Sequence, residues 1–241
     1  MVGTTRPEPS PDNNATGGPA DQAAAGAVMP VLKPSLAHIP LDLMLAAPNR
    51  ITLVRTIIAM AVAAWAFHSG TWQWLVVGYF VYWAGDSLDG EWARLRKQES
   101  LLGAVFDIVC DRASTLLLAG AFIATYPEVV GPLTVYLIQF AVLDTMLSLA
   151  FLLWPSTLSP NYFYKVDNPI YLWNWSRAGK AVNTAGVIIT LIVGYRWDLM
   201  VIPYTIAGLI VIMKVVSLIR LIRILTGAIE PVPGSGKIFK R

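Results

Sequence analysis

The stretch GDSLDGEWARLRKQESLLGAVFDIVCDR, from Gly85 to Arg112, is unusually acidic for its surroundings. It lies in a chain of 241 residues, of which 56% are hydrophobic and only 14% are charged. The stretch nevertheless carries four aspartates, namely Asp86, Asp89, Asp107 and Asp111. Carboxylates are costly in apolar surroundings unless a counter-charge compensates them. Four of them in one short stretch therefore need a common explanation.

The four aspartates form two pairs, and each pair lies on one helix face. Asp86 and Asp89 are three positions apart, and Asp107 and Asp111 are four apart. Side chains at these spacings are neighbours on an α-helix. The short basic link RLRKQES between the pairs predicts an antiparallel hairpin of two helices. Counting outward from that link places Asp86 opposite Asp111 and Asp89 opposite Asp107, so the carboxylates meet in two rungs.

Two rungs of carboxylates predict a metal site. Facing carboxylates cannot all stay ionised unless cations lie between them. Mg²⁺ and Mn²⁺ prefer oxygen ligands, and a pair of such ions suits phosphoryl transfer. Ala93 and Gly103 form a third rung, whose small residues let a ligand come close. Arg94, beside this rung, could bind a diphosphate. Arg55, in the preceding apolar stretch, is level with Asp86 and could pair with an acid or a lipid phosphate.

Long apolar runs predict an all-α integral membrane protein with six spans. The predicted spans are Ile51–His68, Thr71–Ala93, Leu101–Tyr126, Gly131–Trp154, Gly179–Tyr195 and Leu199–Leu225. Lys and Arg are concentrated in alternate links and at the carboxyl terminus. This bias places both termini and the acidic side in the cytoplasm, beneath a plasma or inner membrane.

The segments outside the spans differ in composition. Residues 1–34, rich in Pro, Gly and Ala, are predicted to be a disordered cytoplasmic tail. Residues 35–48 are predicted to lie on the membrane surface as an interfacial segment, with a simple loop as the alternative. Residues 49–228 would form the six-helix functional domain, and residues 229–241 a basic tail. The single cysteine, Cys110, excludes an internal disulfide and a zinc cluster.

Membrane carboxylates also relay ions, so an ion-coupled transporter is the alternative from another functional class. Against it, the acids cluster near one end of their helices. In addition, transporter binding sites typically contain a pair of spans broken by Gly or Pro, and the sequence shows no such pair.

The acidic stretch resembles, without a gap, the signature of the CDP-alcohol phosphotransferase family. It reads Asp86-x2-Asp89-Gly90-x2-Ala93-Arg94-x8-Gly103-x3-Asp107-x3-Asp111. The likeness covers roughly Pro48 to Leu225, and APNRITLVR is similar to the family's entry into the first span. It implies six helices, a homodimer and a site for two divalent cations, Mg²⁺ or Mn²⁺, open to the cytosol. The implied partners are CDP-diacylglycerol, a small polar alcohol and membrane lipids, and no nucleic acid.

The resemblance also implies a role for each matching residue. Asp86, Asp89 and Asp107 would bind metal, and Asp111 would bind metal or a water and act as the general base. The CDP group would be held by Asn49, Thr52, Gly90, Ala93, Arg94 and Gly103. The implied reaction is attack by an alcohol on the lipid-side phosphorus of a CDP-lipid, with release of CMP.

The acceptor alcohol is predicted from the second half of the chain. NYFYKVDNPIYLWNWSRAGK and GAVFDIVCDRAST are similar to the phosphatidylinositol synthase branch, which implies inositol phosphate or inositol. Four cations at similar predicted depths could bind an anionic head group; they are Arg177, Lys180, Lys214 and Arg220. The alternative is that they anchor the spans to anionic lipid. Glycerol phosphate, serine or another polyol are alternative acceptors.

Overall fold

A computed structural model of the protein describes residues 46–235, and helices account for most of them. Six long helical stretches occur in this part of the chain. They are α1 (Ala47–Ser69), α2 (Trp72–Arg96), α3 (Leu101–Thr125), α4 (Pro127–Leu153), α5 (Asn168–Arg196) and α6 (Val201–Leu225). One turn of π-helix interrupts α4 at Gln139–Asp144, and another interrupts α5 at Val182–Gly186. Residues 46–235 contain no strand, so the all-α prediction is confirmed.

Four of these helices, α1, α4, α5 and α6, are long and apolar enough to cross a membrane. Helices α2 and α3 have 25 residues each, enough to span a bilayer, but they carry the charges of the acidic stretch. The six-span prediction is therefore confirmed for four helices and stays a prediction for α2 and α3. Large apolar side chains such as Leu53, Ile57 and Phe67 are exposed, as expected of a surface that faces lipid.

Short connections align α1, α2 and α3 as antiparallel neighbours. Gly70 ends α1 in the left-handed conformation, with φ of 63°, and its N–H donates to the Ala66 carbonyl at 2.9 Å. Glycine adopts this conformation without steric cost, which allows an immediate turn into α2. Ser100 begins α3 by accepting a hydrogen bond from the Gly103 N–H at 3.0 Å. Helix α1 packs against both α2 and α3, so the predicted hairpin has a third helix along its side.

The remaining helices pack around two apolar clusters. Phe151 and Phe163, both fully buried, lie in the cluster that joins the end of α4 to α6. Leu133, Leu191 and Ile210 lie in the cluster that joins α4, α5 and α6. Between membrane helices such contacts stabilise the bundle through van der Waals packing, because lipid tails are as apolar as these side chains. These clusters place α4 and α5 beside the acidic hairpin.

The predicted segments outside the spans are only partly described. The tail of residues 1–34 and most of the interfacial segment 35–48 lie outside the described residues. Residues 47 and 48 belong to the first turn of α1. The described part of the predicted basic tail folds back on the α4–α5 connection. There the Asn168 N–H donates to the Val232 carbonyl, and the Gly234 N–H to the Tyr164 carbonyl, both at 2.8 Å.

Asp167 joins this returning segment to two helices. Its carboxylate is fully buried and accepts hydrogen bonds from Arg220 at 2.8 and 3.0 Å. It also accepts from the Ile170 N–H at 3.0 Å, which caps α5, and from the Val232 N–H at 3.1 Å. Helix α5 therefore includes a first segment, Asn168–Asn174, that was not predicted, and the next segment, capped by Ser176, begins two residues before the predicted start at Gly179. Burial raises the pKa of Asp167, but these hydrogen bonds outweigh it and hold that pKa below its usual range.

We expect Asp167→Ala to lower the thermal midpoint in detergent by roughly 5–10 °C at pH 7. The substitution removes a helix cap and charge-assisted hydrogen bonds, together worth about 2–4 kcal/mol. Because the folded pKa of Asp167 is depressed, this stabilisation is present above about pH 4 and is lost as the pH falls further. The exposed Glu230 supplies the control, Glu230→Ala. Equal midpoints for the two variants at pH 7 would contradict the anchoring role.

Candidate functional site

The guanidinium of Arg55 lies among all four aspartates of the acidic stretch. Its Nε donates to Asp89 at 2.8 Å, and its Nη2 contacts Asp107 at 2.6 Å and Asp111 at 2.9 Å. The distance from Nη2 to the nearer oxygen of Asp86 is 3.5 Å. Arg55 is 4% exposed and Asp89 only 2%. The two rungs predicted from the hairpin thus face a common point, and Arg55 of α1 occupies that point.

Gly85 gives Arg55 the room to reach the acids. A Cβ atom at position 85 would lie 2.5 Å from the Arg55 Cδ and 2.7 Å from its Cβ, which is closer than side chains tolerate. Thr52, one turn before Arg55, donates its hydroxyl to Asp89 at 2.7 Å. Neither the role of Gly85 nor the hydrogen bond from Thr52 to Asp89 was predicted from the sequence. A glycine directly before the first aspartate was the available signal.

The acidic cluster has the donor set of a site for a hard divalent cation. One carboxylate oxygen from each of Asp86, Asp89 and Asp107 lies within 4.8 Å of the others. All these ligands are oxygens, which Mg²⁺ and Mn²⁺ prefer. One guanidinium offsets only part of the charge of four carboxylates, so a cation would be favoured here. The residues present therefore fit a divalent metal.

The acids open into a cavity of about 530 Å³. All six residues predicted to hold the CDP group line it, together with the four aspartates. These six are Asn49, Thr52, Gly90, Ala93, Arg94 and Gly103. A Cβ at Gly103 would lie 2.8 Å from the Asn49 Oδ1, whereas at Gly90 the nearest atom, a guanidinium nitrogen of Arg94, would be 3.4 Å away. Gly103 therefore lies directly against the Asn49 side chain of α1, whereas the surroundings of Gly90 are more open.

The structure does not gather the four predicted acceptor cations in one place. Lys180 alone of the four lines the cavity among the described residues. Arg177 is exposed at the surface, and Arg220 pairs with Asp167. Lys214 is 1% exposed and donates to Asp144 and, at 2.8 Å, to Asn174. The expected cationic pocket was wrong in this respect, because two carboxylates outside the acidic stretch hold Arg220 and Lys214 apart.

Asp144 organises a second charged network that sequence analysis missed. It accepts hydrogen bonds from Lys214 and, at 2.5 Å, from Arg112. The Arg112 Nε also donates to Thr145 at 2.9 Å, and its guanidinium lies 3.8 Å from the centre of the Phe140 ring. Arg112 and Asp144 both line the cavity. The available signal was a carboxylate in the middle of an apolar span, which is rarely without function.

Comparison with known proteins bears on this site. The family described as CDP-alcohol phosphatidyltransferase matches residues 45–173, which include the whole acidic stretch. A human relative, cholinephosphotransferase 1, is 37% identical over 97 residues, covering 34% of this chain and 24% of the human protein. The matched part of the chain thus spans about a quarter of that relative's length. No solved structure matches the chain significantly.

We expect Arg55→Met to lower the thermal midpoint in detergent when a chelator is present. The change leaves the buried Asp89 without its cation, which costs about 3–5 kcal/mol. Added Mg²⁺ should restore part of the lost stability, because a divalent cation can compensate the same carboxylates. Arg50→Met is the matched control, since Arg50 is exposed on the same helix. An unchanged midpoint for Arg55→Met in chelator would refute the compensating role of Arg55.

Proposed function

The chain belongs to the CDP-alcohol phosphatidyltransferase family, and on that premise we propose that it transfers a phosphatidyl group from CDP-diacylglycerol to a small polar alcohol, releasing CMP. One observation carries the proposal. The four aspartates and the six residues matching the family's CDP-binding positions line a single cavity. An acidic cluster built only for ion relay would not require a nucleotide-sized space bounded by Gly103 and Arg94.

Each part of this cavity has a proposed task. Asp86, Asp89 and Asp107, with Asp111, would hold two divalent cations, Mg²⁺ or Mn²⁺. Such cations, when bound, would neutralise charge that develops on the diphosphate. Arg94 would contact the diphosphate from the far end of α2. Arg55 keeps the four carboxylates together from behind, since its guanidinium contacts all of them.

Asp111 is the proposed general base. Its side chain is 22% exposed, lines the cavity and is held by Arg55 at 2.9 Å. It also precedes Arg112, which reaches the wall of the cavity formed by α4. An alcohol lying between these two residues could pass its hydroxyl proton to the Asp111 carboxylate as it attacks phosphorus.

We propose inositol or inositol phosphate as the acceptor, on the likeness of the α4–α5 connection to phosphatidylinositol synthases. Glycerol phosphate and serine are the alternatives within the same reaction. The human relative suggests a different transferred group, because its name indicates transfer of cholinephosphate rather than of a phosphatidyl group.

The proposal also includes a homodimer, with the cavity and both chain termini on the cytoplasmic side. The basic residues Arg94, Arg96 and Lys97 at the α2–α3 link support this orientation, because cytoplasmic links carry an excess of Lys and Arg. Labelling of single cysteines placed in this link, in sealed vesicles of known orientation, would test it.

We expect purified protein to release CMP from CDP-diacylglycerol only when Mg²⁺ or Mn²⁺ and an acceptor are present. Asp86→Asn, Asp89→Asn and Asp107→Asn should raise the metal concentration needed for half-maximal rate, because each removes one charged ligand. Glu91→Gln, on the same helix, is a control that keeps the acidic cluster. Full CMP release in excess chelator would contradict the metal site. Gradient-driven ion flux without CMP would favour the transporter.

Asp111→Asn should lower the turnover number far more than it raises the KM for CDP-diacylglycerol. Loss of a general base typically costs about 10²- to 10⁴-fold in rate, while the nucleotide contacts remain. Steady-state kinetics at saturating metal separate the two constants. Normal turnover in the variant, or a loss confined to CDP-lipid binding, would show that Asp111 is not the base.

A further inference from the structure

Two π-helical turns, in different spans, line the same cavity. Gln139 and Asp144 come from the turn in α4, and Asn183 and Thr184 from the turn in α5. The Tyr136 hydroxyl donates to the Asn183 carbonyl at 2.9 Å and so ties the two turns together. Single π-turns within α-helices are rare and frequently occur at functional sites. Together the two turns form one wall of the cavity, which we call the amide wall.

The amide wall contains buried polar groups without partners. Gln139 is 2% exposed, and its buried Oε1 has no hydrogen-bond partner among the described residues. Asn183 donates its Nδ2 to the Gly179 carbonyl at 2.8 Å, which leaves its Oδ1 unpaired within residues 46–235. Nearly all buried polar groups in proteins are hydrogen-bonded, so unpaired ones need an explanation. A ligand that enters the cavity would supply the missing partners.

Arg112 connects the amide wall to the reaction centre. Its Nε donates to Thr145 and its Nη2 to Asp144, whereas its Nη1 makes no hydrogen bond in the described part of the chain. The guanidinium also stacks on Phe140, so its position is well defined. Arg112 and Asp111 both line the cavity, so a group that contacts the free nitrogen of Arg112 shares this cavity with the proposed base.

We propose that Gln139, Asn183 and Arg112 form the acceptor subsite, and that this subsite selects an uncharged polyol over its phosphate. The inference rests on the proposed function. A primary amide both donates and accepts hydrogen bonds, as does each hydroxyl of a polyol. The unpaired groups offer this mixed set of donors and acceptors in one small region.

The pairing of the charged side chains near the wall favours a neutral acceptor. Proteins usually bind phosphate through bidentate hydrogen bonds from arginine or through several converging backbone N–H groups. Arg112 already shares its charge with Asp144 and has one free nitrogen, and Lys214 is buried against the same carboxylate. Lys180 is exposed, lines the same cavity and forms no ion pair with a described residue, but a single ammonium cannot make a bidentate contact. The described residues therefore offer a phosphate no pair of uncommitted cations beside Gln139.

The first test uses the wild-type protein with CDP-diacylglycerol and Mg²⁺. CMP release is measured with inositol, inositol phosphate and each monodeoxyinositol. We expect a lower KM for inositol than for its phosphate, and about tenfold higher KM for at least one monodeoxy analogue, as loss of one buried hydrogen bond predicts. Preference for the phosphate, or indifference to every single hydroxyl, would overturn the inference.

The second test assigns the contacts to residues. Gln139→Leu and Asn183→Leu should each raise the KM for inositol about tenfold while the KM for CDP-diacylglycerol stays within twofold, which also shows that the variants fold. The controls Ile138→Leu and Val182→Leu change neighbouring residues that are 62% and 53% exposed. Neither control should alter either constant.

A monodeoxyinositol supplies the decisive comparison with the Gln139 variant. If Gln139 contacts the missing hydroxyl, that analogue should be used equally well by wild type and Gln139→Leu. If the variant lowers the use of every analogue as much as it lowers the use of inositol, Gln139 acts only through the fold and the inference is overturned. CMP release by wild type with glycerol phosphate or serine but with no inositol compound would overturn the inference alone, whereas CMP release with none of these acceptors would refute the proposed function itself.

Discussion

Arg55 of α1 contacts the carboxylates of the four aspartates on α2 and α3, and this contact joins the three helices. Helices α2 and α3 carry charges that an apolar environment would expel, and Arg55 compensates them from α1 while remaining 4% exposed. The guanidinium can reach Asp89 and Asp107 together only if α1 packs along the whole hairpin. Gly85 permits that approach, because any Cβ at its position would clash with the arginine stem. The packing of α1 against α2 and α3 thus brings Arg55 to the four aspartates and compensates part of their charge.

The acidic hairpin could be predicted from sequence because its determinants are local. Spacings of three and four residues define a helix face, and a short link defines the partner helix and its register. The same arithmetic failed for the acceptor cations. It gives the depth of Lys214 and Arg220 but not the direction in which they point around the helix. Their directions depend on Asp144 and Asp167, whose partners lie 70 and 53 positions further along the chain. The two π-helical turns could not be predicted either, because one extra residue in a turn leaves the hydropathy pattern almost unchanged.

Adjacent positions on α3 divide the cavity into two halves. Asp111 contacts Arg55 and belongs to the acidic half, whereas Arg112 contacts Asp144 and Thr145 of α4. Successive residues on an α-helix point about 100° apart, so a single step along α3 passes from one half to the other. The acidic half is built from α1, α2 and α3, and the amide wall from α4 and α5. In the proposed reaction, the first half would perform chemistry common to the family and the second would choose the alcohol.

The network around Asp144 is consistent with a role in selection rather than in stability. Buried ion pairs often contribute little net stability, because desolvation of the charges offsets their attraction. Lys214 and Arg112 nevertheless share one carboxylate inside an apolar bundle, and that carboxylate lines the same cavity as two residues whose amide oxygens have no partner among the described residues. Lys214 does not line the cavity, so its effect on a ligand would be indirect. Lys214 also pairs with Asp144, so the negative charge of this carboxylate is divided between Lys214 and Arg112. The pair thereby sets both the position of the guanidinium and the charge that it presents next to Asp111, where an acceptor hydroxyl would lie.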